Sequence, residues 1–161
     1  MAAHQNQFVP CYVDVQTLHI DKEFFKTNDF RETAIISSYE TDQYVYLDTP
    51  GLDANAQDNL EALKGVKKAD IVLFVHQLQG ELEANEIDFL KDVRASFGQY
   101  AEQNIILILS KIDKEDKSKV DQIQNRVLEQ CKQHLGFQPQ CFQISNTLYQ
   151  QGMQKHKDGL I

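Results

Sequence analysis

The sequence predicts an α/β domain, a mostly parallel twisted sheet with helices on both faces, opened by a β-hairpin. Two continuous apolar runs rich in β-branched residues, IVLFVH (71–76) and NIILILS (104–110), have the composition of strands covered on both faces. Stretches with apolar residues three and four positions apart lie around them, as amphipathic helices require. Strands alternating with helices imply right-handed crossovers and a parallel sheet.

Taken in order, the first ten residues are polar and read as an N-terminal tail, with 11–161 as one α/β domain. Residues 8–15 are expected to fold back as an edge strand in the position of a first strand. Residues 33–39 and 43–48 are two β-rich runs joined by Glu40-Thr41-Asp42-Gln43, which predicts a hairpin. From Asn59 to Lys68, Leu60, Leu63 and Val66 stand at helical spacing. Over 82–97, Ile87, Leu90, Val93 and Phe97 do the same, and Gly98 supplies the stop. The segment 119–135 places Val120, Ile123, Val127, Cys131 and Leu135 on one face and is closed by Gly136. CFQIS (141–145) is the last strand, and the final helix is expected to be cut short.

The chain has 161 residues, 42% apolar and 25% charged, which suits one folded domain. The net charge of -8 argues against a nucleic-acid-binding face, which needs clustered Lys and Arg. No apolar run approaches the roughly 20 residues that span a bilayer, and the start lacks a signal-peptide pattern. Membrane association is not indicated. Three cysteines, Cys11, Cys131 and Cys141, show no metal-like spacing and read as reduced thiols of a cytoplasmic chain. His19, His134 and His156 have no ligand partners at useful spacing. His76 closes a buried strand and reads as a packed histidine rather than a general base.

Ligands of such sheets sit at the carboxyl ends of the strands, and three strand ends here finish in polar residues. After VYL comes Asp48-Thr49-Pro50-Gly51. A carboxylate there can hold Mg²⁺ through water, and a glycine three residues on lets a backbone N–H approach a γ-phosphate. A plain turn leaving a strand would look the same. After NIILIL comes Ser110-Lys111-Ile112-Asp113. This carboxylate can accept two hydrogen bonds from the guanine N1–H and N2–H₂ edge, which adenine does not offer. The Lys111 stem can cover the face of a base. The competing reading is a solvated charged loop. Ser145-Asn146 follow CFQI, where small polar groups can reach a base from the other side or merely leave the strand.

In order and spacing, DxxG, then N/T/S-K-x-D, then a serine-led loop resembles the G domain of Ras-like (TRAFAC) GTPases over about residues 27–153. DTPGLD and the tail ISNTLYQQGMQK resemble the Era-related and dynamin-like groups. The resemblance implies GTP binding and hydrolysis with Mg²⁺ and GTP or GDP. It implies guanine contacts at Ser110, Lys111, Asp113, Ser145 and Asn146, and switch or phosphate contacts at Thr33, Asp48 and Gly51. Thr33, or alternatively Thr27, would be the Mg²⁺-ligating threonine of switch I, beside Asp48.

The departures are equally specific. The phosphate loop G-x-x-x-x-G-K-S/T precedes DxxG in this topology, yet all seven glycines of this sequence lie at position 51 or later. Gln16-Thr17-Leu18 stands where a Lys-Ser/Thr-Leu would, without the lysine. The backbone nest and ammonium that hold the β- and γ-phosphates are therefore missing, each charge-assisted contact being worth roughly 1.5–3 kcal/mol. Ser110 replaces the commoner Asn, and Leu52 follows the switch glycine, leaving the water-positioning residue unidentified. The expected function is a GTPase-type domain with impaired nucleotide binding. The alternative is a degenerate G domain acting as an interaction or scaffold module, with a protein partner or self-association covering exposed sheet surface. An unrelated doubly wound domain would need a functional carboxylate before position 48, where only the unpaired Asp14 and Asp21 stand.

Overall fold

The computed structural model describes residues 3–7, 36–52 and 56–157. Its centre is a six-stranded sheet in the order β2-β3-β1-β4-β5-β6. The strands are β1 (Ala3–Gln7), β2 (Ser37–Glu40), β3 (Tyr44–Asp48), β4 (Ile71–Gln77), β5 (Ile105–Ser110) and β6 (Gln140–Gln143). All neighbouring pairs are parallel except the β2–β3 hairpin. The hairpin turn is fixed by Thr41, whose Oγ1 accepts from the Tyr44 N–H at 3.0 Å.

The helices are α1 (Ala56–Val66), α2 (Ala84–Phe97), a four-residue α3 (Ala101–Asn104), α4 (Lys117–Leu135) and α5 (Asn146–Lys157). On α4, the five residues predicted from spacing are all buried: Val120, Ile123, Val127, Cys131 and Leu135. Asp116 caps its start by accepting from Lys119 N–H at 2.9 Å, and Gly136 ends it in the left-handed region at φ 84°. α2 buries Phe89, Leu90 and Val93 and stops at Gly98.

Three expectations are corrected. Residues 3–7, read as part of a polar tail, form β1 in the middle of the sheet. There β1 pairs with both β3 and β4. The physical reason is that ladder bonds are made by backbone groups, so a strand with no apolar pattern can fill the gap between two parallel neighbours. The first-strand position is thus central and held by residues 3–7; residues 8–15, expected there as an edge strand, lie outside the described residues. Leu60, assigned to the inner face of its helix, is 55% exposed, because α1 turns Ala62 inward beside the expected Val66. Finally, β4 and β5 are not covered equally on both faces. Val72, Phe74, His76, Ile105, Leu107 and Leu109 are buried, whereas Ile71, Leu73, Val75, Ile106 and Ile108 are only half-buried.

Candidate functional site

Because β3, β4, β5 and β6 run parallel, their carboxyl ends share one edge of the sheet, and the polar residues predicted from sequence gather there. At the end of β3, Asp48 is half-buried, Thr49 and Pro50 are buried, and Gly51 is exposed. A Cβ built on Gly51 would meet nothing within 4 Å, so that backbone borders open space. The Thr49 hydroxyl is buried without a hydrogen-bond partner among the described residues. Such an orphaned buried hydroxyl is costly.

At the end of β5, Ser110 is buried and donates to the His76 carbonyl at 3.3 Å, fastening β5 to β4. Lys111 adopts a left-handed conformation, φ 59°, which is strained for a residue with a Cβ. Its ammonium donates to Gln77 Oε1 at 3.1 Å, across the end of β4. The chain then closes a 3₁₀ turn over Ile112–Lys114, which carries Asp113 back towards β6.

There Asp113 meets Ser145, whose Oγ donates to Asp113 Oδ1 at 2.5 Å. The same Oγ accepts from Leu148 N–H at 3.1 Å and so caps the start of α5. The Ser145 hydrogen bond is the main cause that holds the Asp113 carboxyl below the usual carboxylate range. Burial opposes it, while its own backbone N–H, the Lys114 charge and Thr147 assist. Asp113 is thus a fixed, ionised acceptor at the sheet edge. Asn146 is the first residue of α5 and is half-buried beside this pair. The structure brings Ser110, Lys111, Asp113, Ser145 and Asn146 together and sets Asp48 and Gly51 apart from them. β3 and β5 are separated by three inter-strand steps, roughly 14 Å. Thr33 and Thr27 lie outside the described residues.

His76 is packed, as the sequence reading has it, but its polar partners were missed by sequence reasoning. His76, 5% exposed, has both ring nitrogens against acceptors: Nδ1 lies 2.8 Å from Glu86 Oε1 and Nε2 lies 3.2 Å from the Gly80 carbonyl. Burial presses the imidazole towards neutrality. The Glu86 hydrogen bond and charge, with the Gly80 carbonyl and Glu83, more than offset it, so its pKa is raised above 6.5. The available signal was a polar residue closing an apolar strand, since a buried ionisable group requires a partner. Cys131 and Cys141 are pushed up by burial to about 12 and about 11, which leaves them as inert thiols.

No helix among the described residues is long and apolar enough to cross a membrane. The chain is 33% identical over 147 residues to an uncharacterised protein of Acinetobacter baylyi, covering 88% of this chain and 34% of that one. It therefore spans about a third of the length of that curated relative. Among solved structures, Toc33 from Arabidopsis thaliana in complex with GDP and Mg²⁺ aligns with a TM-score of 0.61 at 15% identity. That alignment covers 90% of this chain and 71% of Toc33. Era in complex with MgGDPNP and a segment of 16S ribosomal RNA gives 0.57 at 16% identity, covering 89% and 50%. The bacterial dynamin GTPase LeoA from ETEC gives 0.58 at 15%, covering 89% and 29%. These likenesses establish a G-domain fold. The profile of a family described as 50S ribosome-binding GTPase matches residues 14–111, more than half of the sequence and inclusive of Asp48–Gly51. The chain belongs to that GTPase family.

Proposed function

We propose that this domain binds guanine nucleotides through an intact base-recognition end and a weakened phosphate end, so that turnover is slow or lost. The observation that carries the reading is the Asp113–Ser145 pair. A carboxylate held ionised by a capping serine presents an acceptor to the N1–H and N2–H₂ edge of guanine, and an adenine edge offers no matching donors. Ser110 and Lys111 lead into this pair from the end of β5, and Asn146 follows Ser145 as the first residue of α5.

The roughly 14 Å between β3 and β5 suits one elongated ligand touching Asp113 with its base and Gly51 with its phosphates. The orphaned Thr49 hydroxyl and the open face of Gly51 fit a phosphate or its hydration shell. Asp48, with Thr33, would hold Mg²⁺, which when bound neutralises phosphate charge. A second reading, a protein-interaction module without turnover, is favoured by the absence of any glycine before Gly51 in the sequence.

Denaturing the purified protein and chromatographing the supernatant separates the two. Guanine nucleotide in the supernatant supports the first; an empty supernatant together with no titration by a fluorescent guanine nucleotide in Mg²⁺ supports the second. Where binding is seen, Asp113→Asn should shift preference away from guanine, and an unchanged base preference would refute the base assignment.

A further inference from the structure

Leu52, which follows Gly51, is held by α2. Asn85, at the start of α2, donates from Nδ2 to the Leu52 carbonyl at 3.1 Å, while its Oδ1 accepts from the Glu86 N–H at 2.9 Å. Those two contacts fix which way the amide faces. Glu86 in turn spends both carboxylate oxygens: Oε2 accepts from Glu83 N–H at 2.8 Å, and Oε1 meets His76 Nδ1 at 2.8 Å. His76 closes the chain of contacts on the Gly80 carbonyl. A cleft lined in part by Gly51, Leu52, His76, Asn85 and Glu86 lies over this chain.

We propose that Asn85 is a positioning residue for Leu52, next to Gly51, and that the half-buried His76–Glu86 pair beside it ties this docking to the imidazole proton. Only the imidazolium carries a proton on both nitrogens, so only that form donates to Glu86 and to Gly80 at once. When the proton leaves, one of the two contacts is lost, and the start of α2 loses an anchor. Among the described residues, the charged groups facing His76 are Glu86 and Glu83, both from the start of α2. β5 brings no charge to it: Leu109 lies opposite in the sheet, and Ser110 donates to its backbone carbonyl. The pair's contribution is complete below pH 6.5 and is lost as pH rises through the raised folded value. Docking therefore loosens on the alkaline side.

The inference rests on reading Asp48–Gly51 as a nucleotide switch. It is tested by amide hydrogen exchange of the whole chain without nucleotide, so a failure to bind nucleotide and a failure of this proposal are separate results. Asn85→Asp keeps an oxygen to cap the Glu86 N–H but cannot donate to Leu52. Exchange at Gly51 and Leu52 should quicken by about tenfold, the loss of roughly one net hydrogen bond, while β5 stays protected. A merely structural capping role predicts no change, and that result would overturn the proposal. In the unmutated chain, exchange at Gly51 and Leu52, corrected for base catalysis, should step up at a pH above 6.5. Glu86→Gln should move that step to lower pH while β5 protection reports that the fold persists. A step that is absent, or that Glu86→Gln leaves in place, removes the proton coupling.

Discussion

Ser145 serves two masters with one oxygen, donating to Asp113 and accepting from Leu148 N–H. Ser145→Ala removes both. The cap alone is worth about 1 kcal/mol, which in a chain of this size lowers Tm by about 2–4 °C. Asp113 should then move back up towards 3.8. The sign follows from its depressed value: its contribution to stability is present above 3.8 and is lost as pH falls through the folded value. The variant should therefore lose part of the acid-side slope of its stability curve, whereas Ser145→Thr, which keeps the hydroxyl, should retain it. Thermal melts across pH 2.5–6 in steps of about 0.5 decide this. An unaltered acid limb in Ser145→Ala would mean that the hydroxyl does not set the Asp113 proton affinity. Residue types and order in the sequence pointed to Asp113 and Ser145. That they bond to each other was not legible, because a contact 32 positions apart depends on where two loops end.

Elements divide by how strongly their patterns speak. α4 was readable to the residue because five apolar side chains at spacings of three and four can only face one way, and burying each large one contributes about 1.5–3 kcal/mol. β1 carries no such pattern: AHQNQ pairs in the sheet without an apolar sequence signal, and polar composition misassigned it to a tail. Leu60 failed for a subtler reason. The alanine at 62 defines an inner face of α1 as well as leucines do, and the helix rotates accordingly.

The glycines give a test of opposite sign within two helices. Gly136 ends α4 at φ 84° with its N–H on the Lys132 carbonyl, so Gly136→Ala places a Cβ where the backbone is strained and should cost about 1–2 kcal/mol. Gly152 lies inside α5, where an added Cβ meets nothing within 4 Å, so Gly152→Ala should stabilise by about 0.5–1 kcal/mol. Urea unfolding midpoints measure both, and a stabilising Gly136→Ala would contradict the left-handed cap.

At the scale of the molecule, net charge weighs against the fold. With 24 acidic and 16 basic residues, the folded chain confines an excess of eight negative charges, and self-repulsion favours the expanded state. Against this stand surface ion pairs such as Lys117–Asp121 at 2.6 Å, Lys119–Glu115 at 2.7 Å and Lys91–Asp88 at 2.8 Å. Their partners are all about a third or more exposed, so each contributes at most a few tenths of a kcal/mol. The two effects respond oppositely to salt. Screening weakens the pairs, yet it also relieves a repulsion summed over the whole surface, and the Debye length falls to about 10 Å by 0.1 M. The His76–Glu86 pair is buried and should be nearly indifferent. With the repulsion the larger sum, sodium chloride between roughly 0.01 and 0.3 M should raise Tm at neutral pH by a few degrees, about what 1 kcal/mol provides. A fall in Tm over the same range would mean that the local pairs outweigh the net charge, and that the acidic surface is already balanced by its own geometry.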